Sequence, residues 1–146
     1  MLRIKIKDFE RGGGVSKTTL GIDIVEIKRL EKISKRWGKG FMNKVYTPKE
    51  LAYAKSKKFP YQHLAALFAA KEAIFKALGE VETNFVGWKN IEILNDAYGK
   101  PVVHWHGAAE VCRRKRGLKG AVVSLSHTEN YAVANAMLVF NGKKSS

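Results

Sequence analysis

Asp23, Glu72, Lys76 and the run Ser124-Leu125-Ser126-His127-Thr128 are the residues of this sequence whose types and spacing could do chemistry. Asp23 sits between Ile22 and Ile24 in a stretch that reads as strand, where aspartate is disfavoured. Two roles are open to it. It can cap the helix that follows, as aspartate does well, or it can stand at a sheet end and hold a hard cation such as Mg²⁺ through oxygen. Glu72 and Lys76 are four apart with the acid first, the favourable order for a surface ion pair on a helix. Yet Phe68, Ala69, Ala73 and Ala77 leave little solvated surface beside them. Charges in apolar surroundings need partners, and a metal with phosphates would supply them. Ser126 and His127 suggest a nucleophile and base, but adjacent strand residues point to opposite faces. As hydrogen-bond donors to a phosphate the same residues make better sense.

A glycine-rich run, GGGVSKTTLGI from Gly12 to Ile22, imitates a phosphate-cradling loop. Such a loop needs glycine directly before its lysine and a helix directly after. Here Ser16 precedes Lys17, and the β-branched alternation from Thr19 to Val25 predicts a strand. The run reads as a linker.

The elements that must position these residues follow from periodicity. After the strand, Ile27, Leu30, Ile33 and Trp37 mark a buried helical stripe, with Lys28, Lys32, Lys35, Arg36 and Lys39 on another face and Gly38 or Gly40 as the stop. Thr47-Pro48-Lys49-Glu50 has the residues of a capping box opening a helix that runs to about Lys55 and stops before Pro60. The strongest helix pattern runs from His63 to Leu78, and Gly79 supplies a left-handed stop. Strands are predicted over Asn90 to Leu94, Pro101 to Trp105, Ala121 to Ser126 and Tyr131 to Phe140, with a hairpin loop from Asn95 to Lys100, a turn from His127 to Asn130, and a short helix over 106 to 117. The order β-α-α-α-β-β-α-β-β favours an α+β domain with antiparallel sheet packed against helices. Residues 1–18 read as a flexible extension, 19–140 as the domain and 141–146 as a loose tail.

At 146 residues the chain suits one domain. No apolar run is long enough to span a bilayer, the start lacks a secretory pattern, and the single Cys112 suits a reducing cytoplasm. No Cys/His spacing suggests zinc; His104 and His106 read as neighbours on one strand face. The formal net charge of +14 attracts acidic partners or phosphorylated ligands without choosing among them. Eleven basic residues stand against only Glu31 and Glu50 between Lys28 and Lys58. The knot Arg113-Arg114-Lys115-Arg116 reads as a solvated face at a helix C-terminus. A nucleic-acid-binding domain is the alternative to an enzyme. It would interleave stacking aromatics with these cations, and the stretch offers mainly Trp37, Phe41, Tyr46 and Tyr53, with Trp37 assigned to the core.

Four motifs together resemble a known family: GIDIVEI from Gly21, FAAKEAIFKALG from Phe68, Gly99-Lys100-Pro101, and SLSHTENYAVA from Ser124. In this order, and over about Leu20 to Phe140, they resemble the holo-acyl-carrier-protein synthases, a branch of the 4′-phosphopantetheinyl transferases. The resemblance implies that Asp23 and Glu72 hold Mg²⁺, which bridges the pyrophosphate of the substrate coenzyme A, and that Lys76 faces the same phosphates. It implies that Gly79, Lys100, Pro101, Ser126, His127 and Thr128 help bind coenzyme A. Lys28, Arg29, Lys32 and Lys44 would meet an acidic acyl carrier protein. A homotrimer with active sites in the clefts between subunits is implied, in the cytoplasm, with no membrane or nucleic-acid partner. Leu67 stands where many members carry arginine, and Glu80-Val81-Glu82 replaces a small glycine-containing loop.

Overall fold

The computed structural model describes residues 17–79 and 86–142. Residues 1–16, with Gly12, Gly13 and Gly14 of the glycine run, Glu80-Val81-Glu82 and the last four residues lie outside the described residues. Among the described residues five strands and four α-helices follow in chain order: β1 (Lys17–Glu26), α1 (Ile27–Val45), α2 (Pro48–Lys55), α3 (Pro60–Leu78), β2 (Ile91–Asn95), β3 (Pro101–Trp105), α4 (Gly107–Lys115), β4 (Leu118–His127) and β5 (Tyr131–Phe140). The expected α+β order is therefore present. β5 lies between β1 and β4 in a three-stranded antiparallel sheet, while β2 and β3 form a separate antiparallel hairpin. Lys17 and Thr18 begin β1, so no helix opens where a phosphate loop would require one.

β5 alternates strictly, with Ala132, Ala134, Ala136, Leu138 and Phe140 buried. The alanines leave room for α3 to lie across that face. Its side chains from Leu64 to Leu78 form the centre of the core. The closest approach is at Gly21: a Cβ there would stand 1.9 Å from the carbonyl oxygen of Ala73. Glycine at that place is what lets β1 and α3 touch backbone to backbone.

α1 departs from the sequence expectation. Gly38 does not end the helix. It takes φ 60 and ψ −143, breaking the helix into two arms, and the second continues to Val45. The chain changes direction there, so the periodicity does not carry through. Ile27 and Leu30 are buried, but Trp37 is 65% exposed, with the Arg36 guanidinium 5.4 Å from its ring centre. Phe41 and Met42 on the second arm pack against the core instead.

The Thr47 and Glu50 capping box forms in full. Glu50 does more than cap. Its Oε1 also accepts from the fully buried Lys71 at 2.7 Å, and its Oε2 from the Ile93 amide at 3.0 Å. Lys71 donates further to the carbonyls of Val45 and Trp88. One ammonium thus ties α3 to the end of α1, the start of α2 and the approach to β2. The basic knot is likewise not wholly solvated: Arg113 pairs with Glu110, and Arg116 donates to the Leu78 carbonyl at the end of α3 at 2.6 Å.

Candidate active site

Asp23 lies within β1, paired with Ala134. It does not cap α1, whose N-cap residue is Glu26. Gly21, Asp23 and Val25 share the face that meets α3, so the glycine that admits the helix also brings it against the carboxylate two residues on. Lys76 reaches across from α3. Its Nζ donates to Asp23 Oδ1 at 2.7 Å and to the Ile22 carbonyl at 2.9 Å. The sequence spacing had suggested Glu72 as its partner; the ion pair is to Asp23 on the strand that α3 packs against. Both members are nearly buried, with side chains 8% and 14% exposed.

Glu72 borders the same place without a hydrogen bond of its own among those between described residues. Burial raises its proton affinity above the ordinary carboxylate value, the nearby Asp23 raises it further, and Lys76 partly opposes both. Two carboxylates are therefore gathered with one ammonium, a set with room for another positive charge. Their oxygens are hard donors and suit a cation such as Mg²⁺. Among the described residues no group of three or more His, Cys, Asp or Glu could hold a metal, so a cation here would take its other ligands from phosphate or water.

These two carboxylates open into a cavity of about 460 Å³. Leu30, Ile33, Phe41 and Phe68 give it an apolar wall, and Arg29 lines it from α1. Arg29 therefore stands at the carboxylate cavity itself, where sequence reasoning assigned it only to a partner surface. Lys28 lines a different groove, beside Phe59 and Glu129. Lys32 is exposed between them, and Lys44 lies beyond the break at Gly38.

The remaining site residues do not join this cavity within one chain. His127, at the end of β4, lines a second cavity of about 530 Å³ with His63, Leu67, Asn95 and Asp96. Ser126 points to the opposite face of the sheet, opposite Val133, so Ser126 and His127 cannot act as nucleophile and base on one another. The Thr128 side-chain oxygen accepts from the Tyr131 amide at 3.1 Å and shapes the turn. Lys100 is exposed on the β2–β3 loop, where Asp96 Oδ1 accepts from its amide at 2.9 Å and from that of Tyr98 at 2.8 Å. Pro101 opens β3, paired with Asn95. Gly79 ends α3 at φ 110, its amide on the Phe75 carbonyl. Leu67 is buried in the wall of the second cavity.

The model of the 4′-phosphopantetheinyl transferase superfamily matches residues 19–136. The chain is 42% identical over 124 residues to the holo-[acyl-carrier-protein] synthase of Syntrophus aciditrophicus, covering 85% of this chain and 95% of that one. It belongs to this family. The crystal structure of the holo-[acyl-carrier-protein] synthase of Neisseria meningitidis superposes with a TM-score of 0.75 at 34% identity, covering 82% of this chain and 95% of that one. The Helicobacter pylori synthase in complex with coenzyme A gives a TM-score of 0.71 at 27% identity, over 85% of this chain and all of that one. Three features of this family member were missed in the sequence: Gly21 as the contact point, the tie from Lys71 to Glu50, and His63 beside His127. Each depends on a neighbour distant in the chain, and no local pattern marks it.

Proposed function

We propose that the protein transfers the 4′-phosphopantetheine group of coenzyme A to a serine of apo acyl carrier protein, releasing adenosine 3′,5′-bisphosphate, in support of fatty acid biosynthesis. The observation that carries this reading is the convergence of Asp23 and Glu72 on one cavity, with Lys76 paired to Asp23, in a member of this transferase family. Bond formation joins the serine oxygen to the phosphorus bearing pantetheine, and the pyrophosphate bond to the nucleotide breaks.

Asp23 and Glu72 are the residues that would hold Mg²⁺. The ion would neutralise the pyrophosphate so that an oxygen nucleophile can approach it. Lys76, kept in place by Asp23 and the Ile22 carbonyl, would offset charge that develops on the leaving phosphate. The carboxylate of Glu72, with its raised proton affinity, is suited to take the serine proton. The apolar wall of Leu30, Ile33, Phe41 and Phe68 suits the pantetheine arm and excludes water beside the reacting phosphorus.

The reading extends to a homotrimer. The sheet face opposite α3 exposes Ile22, Ile24, Val122, Tyr131 and Met137 around Ser124 and Asn135, Ile24 to 65%. Exposed apolar side chains gathered on one face support an interface there. Packing three such faces would set the His127 cavity of one subunit beside the carboxylate cavity of the next, joining the two halves that one chain keeps apart. The domain boundary expected at residue 19 moves to Lys17, because Lys17 and Thr18 pair with Phe140 and Val139 in the sheet, and the enzyme works in the cytoplasm. The cationic face of α1, with Lys28, Arg29 and Lys32 before its break and Lys44 beyond it, would receive the acidic carrier. Chromatographic detection of adenosine 3′,5′-bisphosphate, released from coenzyme A and Mg²⁺ only when apo carrier is added, tests the reading. Release that ignores the carrier, or no release, rejects it.

A further inference from the structure

The apolar stripe of α1 does not end in the core. Ile27 and Leu30 are buried, Ile33 lines the carboxylate cavity, and Trp37, one turn further on, stands exposed. The break at Gly38 leaves it there. A φ of 60 is open to glycine and strained for most other residues, and past it Phe41 and Met42 turn inward to the core. A tryptophan ring left in water forgoes a large apolar burial, so a partner that covers it gains that burial.

The surroundings of the ring carry one sign of charge. The Arg36 guanidinium lies 5.4 Å from the ring centre, and Lys32, Lys35 and Lys39 are exposed on the same stretch of helix. Glu31 is the one acid of α1, and its Oε1 already accepts from Lys35 at 2.9 Å. An exposed ring framed by cations fits an acidic partner that also presents an apolar side chain. Single-stranded nucleic acid would need a succession of stacking rings. Here Tyr46 is buried, Phe41 packs against the core and Tyr53 is in edge contact with His63. The exposed apolar side chains of the sheet lie on other elements, so a second copy that packs on the sheet does not cover this ring. An acidic protein remains as the occupant.

The position of Trp37 fixes where such a protein must be apolar. It follows Arg29, which lines the cavity, by eight residues of unbroken helix, an axial span of about 12 Å. We infer that Trp37 is the apolar anchor of the acyl carrier protein and decides which carriers are accepted: those that set an apolar side chain among their acids about 12 Å from the serine to be modified. This rests on the carrier as second substrate. The cations act on encounter and fade as salt screens them, whereas the ring acts at contact and does not.

Initial rates of the full-length protein with apo acyl carrier protein and coenzyme A, at about 0.05 M and about 0.5 M salt, test this. Trp37→Ala should raise the KM for carrier about tenfold, while kcat and the KM for coenzyme A change less than about twofold. The ratio of variant to wild-type KM should be the same at both salt concentrations, and Trp37→Phe should recover most of the loss. Without coenzyme A, carrier should shift the tryptophan emission of the wild type to the blue. Trp37→Phe, which leaves Trp88 and Trp105, should abolish that shift. An unchanged carrier KM in Trp37→Ala overturns the inference, as does a blue shift that survives in Trp37→Phe. A KM ratio that collapses at the higher salt would mean that the ring serves only to hold the Arg36 charge, and overturns it too. So do equal losses toward both substrates, a change in sedimentation of Trp37→Ala, or emission that a single-stranded DNA oligonucleotide moves and the carrier does not. A wild type that converts no carrier overturns the reading of the carrier as substrate, and this inference with it.

Discussion

The carboxylate of Asp23 accepts a hydrogen bond from an ammonium 53 residues further along the chain, and Glu72 is held one turn of helix before that same lysine. At this scale Glu72→Gln is the most informative change, since it removes charge and keeps shape. Transfer should fall about a thousandfold, the loss of several kcal/mol from the transition state, in an assay of initial rates at saturating coenzyme A. The same variant has a stability signature in metal-free protein. The folded-state proton affinity of Glu72 is raised, so between its ordinary pKa of 4.5 and the raised value the folded state holds the extra proton. Stability should therefore fall as pH rises through that window and stay lower above it. Glu72→Gln should flatten that fall in urea denaturation with chelator present, and an unchanged pH profile would count against the burial of the charge.

β1 and α3 meet at Gly21, and the site exists only because they do. Gly21→Ala puts a methyl group against the Ala73 carbonyl, a backbone atom that cannot turn aside. The helix must move, and Asp23 should separate from Glu72 and Lys76. Loss of about 2 kcal/mol or more of stability is expected, measured by thermal unfolding, together with weakened binding of Mn²⁺ as a metal probe. Stability lost with metal affinity intact would show that the contact supports the fold alone. The elements themselves were legible in the sequence because the signals that define them are local. The Thr47 box, the alternation of β5 and the long period of α3 are each contained in a few adjacent residues. What local signals could not give was direction. Gly38 reads as a stop, but whether a positive φ ends a helix or bends it depends on what the next arm finds to pack against. Here Phe41 and Met42 find the core, so the helix bends and Trp37 is left outside. The site was legible in its residues but not in its pairing, since Lys76 chose Asp23 over Glu72 through tertiary closeness.

Among the described residues the cations of α1 and the exposed apolar side chains of the sheet lie on different elements. The net charge of +14 alone would fit nucleic acid as well as an acidic protein. Family membership decides for a transferase; of the α1 cations, Arg29 lines the carboxylate cavity and Lys28 a different groove. Lys28→Glu with Lys32→Glu should raise the KM for carrier protein roughly tenfold and leave that for coenzyme A unchanged, with wild-type carrier affinity falling as salt rises. Equal effects on both substrates would contradict this division. The open sheet face makes a separate demand. Ile22→Glu with Met137→Glu places charges on the exposed sheet face at two residues that do not line the carboxylate cavity. The variant should sediment as a monomer, remain folded by circular dichroism and lose transfer, because the two cavities of one chain do not meet. A folded monomer with full activity would mean that one chain holds a complete site.

The central claim is that Asp23 from β1 and Glu72 from α3 together make this fold a metal-dependent phosphopantetheine transferase. Intact-mass spectrometry of apo acyl carrier protein incubated with coenzyme A tests it most directly, comparing wild type, Asp23→Ala and Glu72→Ala with Mg²⁺ or with chelator. The wild type with Mg²⁺ should convert the carrier by the mass of one phosphopantetheine group, while chelator or either substitution leaves the carrier at its apo mass on the same timescale. Conversion at near wild-type rate by Asp23→Ala or Glu72→Ala, or by wild type in chelator, would contradict the claim.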